Sequence, residues 1–179
     1  MRVIITGGCG FLGQMVAQKI IVDGAALASH TSGGEESKLA VTEIILADVA
    51  RPPKFVTTPD LDKVPFVRVV LGNIADPTFC GSLLDGADAV SIFHLGAVMS
   101  GQGEADFDLC MSVNLMGTMN MLAAARNCAA PRPRFILASA GATLGAGDPT
   151  DFVTVGTQDP QPNLGAGSKL LKRVWAPRA

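Results

Sequence analysis

Thr6-Gly7-Gly8-Cys9-Gly10-Phe11-Leu12-Gly13 decides the fold of this chain. It follows Met1-Arg-Val-Ile-Ile-Thr6, a short β-branched run that reads as a buried strand. It leads into Phe11 to Val22, where Leu12, Met15, Val16, Lys19 and Ile20 fall at helical spacing and Gly24 is a plausible stop. Gly8, Gly10 and Gly13 satisfy G-x-G-x-x-G, and Gly7, Gly10 and Gly13 satisfy the overlapping G-x-x-G-x-x-G. Glycines in such a turn allow a tight reversal, close backbone approach to a pyrophosphate, and close packing of helix on strand. The anion then rests on the free amides of the helix N-terminus. A glycine match alone is weak, but the strand–turn–helix context makes dinucleotide binding the favoured reading over a ligand-free turn.

Working outward, Glu43-Ile-Ile-Leu-Ala-Asp48 reads as a second strand ending in an acid. Asp48 is the candidate for the ribose hydroxyls. It stands 35 residues after Gly13, against about 20 in the usual fingerprint. The polar stretch 25–42, with Ser32-Gly-Gly-Glu-Glu-Ser37 as an exposed loop, accounts for the excess as a loop insertion. A carboxylate there repels a 2′-phosphate and favours NAD over NADP, although Arg51 is close in sequence. Residues 51–64 read as loop, 65–71 as a third strand, 76–84 as a short helix capped by Asp76 or Pro77, and 89–95 as a fourth strand. A long helix is predicted from about Glu104 to Cys128, with Phe107, Met111, Leu115 and Leu122 in register, and a fifth strand over 134–138. Met111, Met116, Met119 and Met121 are expected in the core. Continuous apolar strands alternating with helices predict a doubly wound α/β fold, a parallel sheet of order 3-2-1-4-5.

The chain has 179 residues, enough for one domain over 1–179, with hydrophobic residues at 48% and charged residues at 17%. That excludes a disordered chain. The net charge of −2 leaves no basic surplus for a phosphate backbone, so no nucleic-acid partner is expected. No stretch resembles a signal peptide or a membrane span, and the four cysteines lack metal-site spacing; a cytoplasmic protein with reduced thiols is expected. Cys9 reads as a space-filler and His94 as a structural residue. The basic tail 170–179 is expected to be poorly ordered.

Four stretches carry a resemblance. Thr6–Gly13 matches T-G-G-x-G-F-[LI]-G at every position. Leu71-Gly-Asn-Ile-Ala-Asp76, Phe93-His-Leu-Gly-Ala97 and Asn114-Leu-Met-Gly117-Thr118 follow in order and spacing. Together they resemble the extended short-chain dehydrogenase/reductases, the NAD-dependent epimerase/dehydratases, over roughly residues 1–170. The resemblance implies a Rossmann fold with NAD held by Gly7, Gly10, Phe11, Leu12, Gly13 and Asp48. It implies that Asn73 (where an Asp is usual) and Ile74 border the adenine, and that Leu95, Gly96 and Ala97 line the cofactor. Asn114 would steady a strand and help place the active site. Val98–Asp108 looks most like the sugar-acid oxidoreductases of the family, so a sugar acid or a nucleotide sugar is the implied substrate.

The family's chemistry uses a tyrosine made acidic by a lysine four residues later, with a nearby Ser or Thr. This chain contains no tyrosine. Pro162-Asn-Leu-Gly-Ala-Gly-Ser-Lys169 resembles that motif with Leu164 in the tyrosine's place and one residue inserted. Ala138-Ser139-Ala140 puts alanine where the catalytic hydroxyl belongs. Ser139 and Lys169 remain as candidate catalytic groups, and impaired catalysis is expected. The resemblance also implies further strands and a substrate-binding part after Lys169, where ten residues stand here. A C-terminally truncated domain with an open sheet edge is the expectation, and a homo-oligomer is among the expected partners.

Overall fold

The computed structural model describes residues 1–30 and 36–139. Its compact unit is Met1–Leu137. Five strands, β1 (Arg2–Thr6), β4 (Glu43–Asp48), β5 (Val67–Leu71), β6 (Val90–His94) and β7 (Arg134–Leu137), form a parallel sheet of order β5-β4-β1-β6-β7. In strand count this is the order 3-2-1-4-5 expected from sequence. Registers run Ile4↔Ile45 on one side of β1 and Ile4↔Ile92 on the other.

The alternation of β1 divides the core. Val3 and Ile5, with Ile44 and Leu46, face α1 (Phe11–Val22) and bury against its Ala17 and Ile20. Ile4, Ile45 and Ile92 face the other way, onto α2 (Pro77–Ser82) and α5 (Thr118–Asn127), meeting Cys80, Met121 and Ala125. Each of these isoleucines is fully buried and contributes roughly 1.5–3 kcal/mol by its removal from water. Asp76 caps α2 as expected, accepting from the Thr78 amide at 2.8 Å.

Three expectations need correction. Residues 25–42 are not simply loop: β2 (Ala26–His30) and β3 (Glu36–Ala40) pair antiparallel as a hairpin. The strands hold alanine, serine and lysine in place of β-branched residues, so their composition hides them. The hairpin is anchored at its base, where the Val41 amide donates to the Ala25 carbonyl at 2.7 Å and Leu27 packs onto the α1 face of the core. The long helix over 104–128 is also divided. α3 (Ser100–Ala105) ends at Asp106, whose φ of −141° is not helical. Asp106 then caps α4 (Phe107–Cys110) by accepting from the Leu109 amide at 2.9 Å. A π-helical stretch, Met111–Gly117, joins α4 to α5. Of the methionines expected in the core only Met121 is buried; Met111, Met116 and Met119 are 39%, 52% and 53% exposed. Phe107 and Leu115 face outward with them. Periodicity locates an apolar stripe on a helix but does not say which way it faces.

Candidate functional site

The strand order reverses between β1 and β6, so the loops leaving those two strands lie side by side and open a crevice at their carboxyl ends. The close approach is measured by the glycines. A Cβ on Gly7, which has φ +66°, would lie 2.9 Å from the Gly96 amide. A Cβ on Gly13 would lie 2.4 Å from the Gly7 carbonyl and 2.6 Å from Gly8 Cα. A Cβ on Gly8 would strike Leu46 of β4 at 2.7 Å. These three glycines are required by packing. Gly10 is different: it is exposed, and a Cβ there meets only the Gly7 carbonyl, at 3.2 Å. Its open side is where an approaching ligand needs the room.

Gly10 is the N-cap of α1, and the first intrahelical bond runs from the Gln14 amide to the Gly10 carbonyl at 3.0 Å. The amides of Phe11, Leu12 and Gly13 therefore have no intrahelical acceptor. No side chain caps the helix and no acidic residue sits in its first turn, so the positive end of its dipole is left for an external anion. The Phe11 and Leu12 side chains are largely exposed beside it.

Asp48, at the end of β4, binds the loop directly. One carboxylate oxygen accepts from the Cys9 amide at 3.0 Å and the other from the Val49 amide at 2.8 Å. A carboxylate has about four acceptor positions, so two remain for hydroxyl donors. The hairpin insertion does not disturb this placement, because Ala47↔Thr6 register brings the two strand ends together. Burial, aided by the Asp48 charge, pushes the Cys9 thiol up to about 11. A neutral, 8% exposed thiol fits the space-filling role expected of it.

Asn73 is exposed, its Oδ1 closing a turn with the Ala75 amide at 2.9 Å. Ile74 is buried between the Gly96 loop and the helix: a Cβ on Gly117 would lie 2.7 Å from Ile74 Cγ1, and one on Gly96 3.4 Å from its Cδ1. The Ile74 side chain thus supports the crevice wall from behind. Asn114, in the π-helical stretch, pins the segment after β6 at both polar groups of one residue. It accepts from the Val98 amide at 2.7 Å and donates to the Val98 carbonyl at 3.0 Å. Leu95, Gly96 and Ala97 are held in the crevice between that clamp and Thr6.

Three residues that sequence reasoning passed over complete the frame. Gln14 is 5% exposed. It donates to the Cys9 carbonyl at 2.8 Å and accepts from the Val56 amide at 3.0 Å, tying the glycine loop to the chain after β4. Thr6 and Thr118 sit on either side of His94. The Thr6 oxygen accepts from the amides of Leu95 and Gly96 at 3.2 and 3.1 Å, so its hydroxyl proton is directed to His94 Nδ1, 2.8 Å away. His94 Nε2 then carries the ring proton and donates to Thr118 Oγ1 at 3.0 Å, and Thr118 donates to the Asn114 carbonyl at 2.7 Å. Burial pushes the His94 pKa down to about 4, which keeps the ring neutral as this chain of bonds requires. His94 is structural, as expected. A glutamine on the buried face of a helix was the one signal in the sequence for Gln14.

The structure therefore brings Gly7, Gly10, Phe11, Leu12, Gly13, Asp48, Asn73, Ile74, Leu95, Gly96, Ala97 and Asn114 to one edge of the sheet. Ser139 is exposed, two residues beyond β7. Ala140, Leu164, Lys169 and the tail 170–179 lie outside the described residues. Among the described residues no cluster of side chains could hold a metal ion, and no helix is long and apolar enough to cross a membrane.

The chain is 37% identical over 145 residues to D-erythronate dehydrogenase of Cupriavidus necator, covering 81% of this chain and 40% of that protein. It is 32% identical over 172 residues to D-erythronate dehydrogenase of Haemophilus influenzae, covering 96% and 48%. It thus spans less than half the length of the curated relatives it matches. In fold it is similar to the crystal structure of a nucleoside-diphosphate-sugar epimerase from Agrobacterium tumefaciens. The TM-score is 0.60 at 23% identity over 97% of this chain and 47% of the other. The model of the NAD dependent epimerase/dehydratase family matches residues 3–165, and the chain belongs to that family.

Proposed function

We propose that the crevice at the β1–β6 edge binds NAD, the cofactor of the family, and that this chain is an NAD-binding domain whose catalysis is impaired. The carrying observation is the division of labour in the glycine loop. Gly7, Gly8 and Gly13 have no room for a Cβ, whereas Gly10 is open toward unpaired helix amides. The pyrophosphate is assigned to the loop amides and those of Phe11, Leu12 and Gly13. The adenosine ribose is assigned to the free acceptor positions of Asp48, and the adenine to the neighbourhood of Asn73 and Ile74. Leu95, Gly96, Ala97 and the Asn114 clamp would border the nicotinamide half. When bound, NAD supplies a hydride acceptor; the protein's part is to orient it and to move a proton at the substrate hydroxyl.

That second part is where the chain departs from its relatives. The resemblance places Leu164 and Ala140 at the positions of the phenolic base and the orienting hydroxyl. Removing a positioned general base costs typically 10²–10⁴-fold in rate. Ser139 and Lys169 are the groups left to act. Two of the relatives are named D-erythronate dehydrogenase, and D-erythronate is a sugar acid, so oxidation of a sugar acid is the ancestral activity proposed. Epimerisation of a nucleotide sugar is the alternative within the family.

Titration of NAD into the purified chain by calorimetry tests the first half, with saturable one-to-one binding expected. No heat from a folded, monodisperse sample would overturn it. NADH production from D-erythronate tests the second half. A rate above a few per cent of that of a relative with the intact tyrosine would show that catalysis is not impaired.

A further inference from the structure

Arg51 stands three residues after Asp48, and an arginine near the ribose acid can receive a 2′-phosphate and so admit NADP. Its guanidinium does not stand free. It is ion-paired to the Asp62 carboxylate and lies over the buried Phe55 ring, 5.9 Å from the centroid. Asp62 comes from a separate piece of chain, the 3₁₀ turn Leu61–Lys63. That turn is fixed from both sides: Leu61 is 1% exposed in the core, and Asp60 caps it by accepting from the Asp62 amide at 3.3 Å. Asp48, three residues before Arg51, accepts from the Cys9 amide of the glycine loop at 3.0 Å, so the pair lies close to the cradle. Both partners are about half exposed, at 49% and 42%, so the guanidinium would be within reach of solvent and of a ligand once released.

We infer that Asp62 is a specificity-determining residue that holds Arg51 away from the 2′ position of the adenosine ribose, and so reinforces the selection of NAD over NADP by Asp48. This rests on the NAD site proposed above. Asp48 excludes the 2′-phosphate by repulsion, and Asp62 withholds the cation that would attract it. A lone arginine near the ribose is an ambiguous sign; paired to a carboxylate from another loop it no longer offers a full charge to phosphate.

The test is calorimetric titration of NAD and of NADP into the wild-type chain and Asp62→Asn. The amide keeps the size of the side chain, and the cap from Asp60 uses only the backbone amide, so the turn persists. NAD affinity should stay within about twofold, while NADP affinity rises about tenfold, the scale of one recovered charge-assisted contact. The gain should weaken at high salt. It should vanish in Asp62→Asn/Arg51→Ala, and it should be absent in Asp62→Glu. Because Asp48 still repels phosphate, the comparison is repeated on Asp48→Ser, where binding of NADP is easier to measure. No gain in NADP affinity in either background, with NAD bound normally by the wild-type chain, overturns the inference. A gain that survives loss of Arg51 overturns it as well. Failure of the wild-type chain to bind NAD instead overturns the reading of the site itself, and with it this role for Asp62.

Discussion

The glycine loop after β1 and the helical segment over 98–120 wall the same crevice by opposite means. The loop is shaped by side chains that are missing: Gly7, Gly8 and Gly13 bring backbone within 3 Å of where any Cβ would stand. The helical segment is shaped by side-chain amides that are present. Asn114 clamps Val98, and Asn120 donates to the carbonyls of Ile74 and Ala75, each at 3.0 Å. The first wall admits almost no substitution. The second is a set of separate polar contacts, each of modest worth. Rigidity is therefore concentrated at the proposed phosphate end of the cradle and distributed elsewhere.

Gly13→Val probes that contrast most strongly. Its added carbons meet backbone that cannot retreat, and overpacking of this kind costs about 3 kcal/mol; a urea midpoint unchanged from wild type would break the comparison. Gly10→Val, three residues away, should lower NAD affinity at least 100-fold, about 2.7 kcal/mol. It should change unfolding by only about 1 kcal/mol, the cost of a poorer N-cap. Equal effects of the two valines on stability would erase the distinction between packing and ligand-facing glycines.

The Thr6–His94–Thr118 bonds join the two walls and give a pH signature. His94 is held neutral, with its pKa at about 4 in the folded state against 6.5 ordinarily. As pH falls below 6.5 the unfolded chain takes up a proton that the folded chain refuses. Stability is thus complete above 6.5 and lost progressively down to about 4. Between pH 6.5 and 5 the loss should reach about 1.5 kcal/mol. Denaturant unfolding at the two pH values measures it, and a flat profile would show that the ring tolerates charge.

Asn114→Ala should cost about 1 kcal/mol of stability and loosen the Val98 segment, visible as faster amide exchange at Val98. Met119→Glu, on the exposed stripe of α5, should fall within about 0.5 kcal/mol of wild type. A larger loss would mean that this face is covered in solution, and a change in sedimentation would identify the cover as a second copy.

What was legible in the sequence follows from the same contrast. Backbone necessity leaves a signature, so the glycine loop, the strand order and the Asp76 cap could be read directly. Asp48 could also be placed despite its long separation from Gly13, because strand register sets that distance and residue count does not. Contacts between distant side chains leave no local trace. Thr6 and Thr118 are ordinary threonines until His94 stands between them, and Arg51 is an ambiguous cation until Asp62 meets it. Neither the β2–β3 hairpin nor the break at Asp106 announces itself, since the one lacks β-branched residues and the other depends on a cap. The outward turn of Met111, Met116 and Met119 is a fact of packing, which periodicity cannot supply.

The hairpin has a practical consequence. The Met1 amino group, at the first end of β1, donates to Ala40 at its base, whereas the glycine loop leaves the last end, a strand length of roughly 17 Å away. The sheet accordingly has a working rim and a spare one. A tag, tether or foreign domain joined where the hairpin base meets Met1 would start from the spare rim, leaving the proposed nucleotide cradle clear on an immobilised or fused protein.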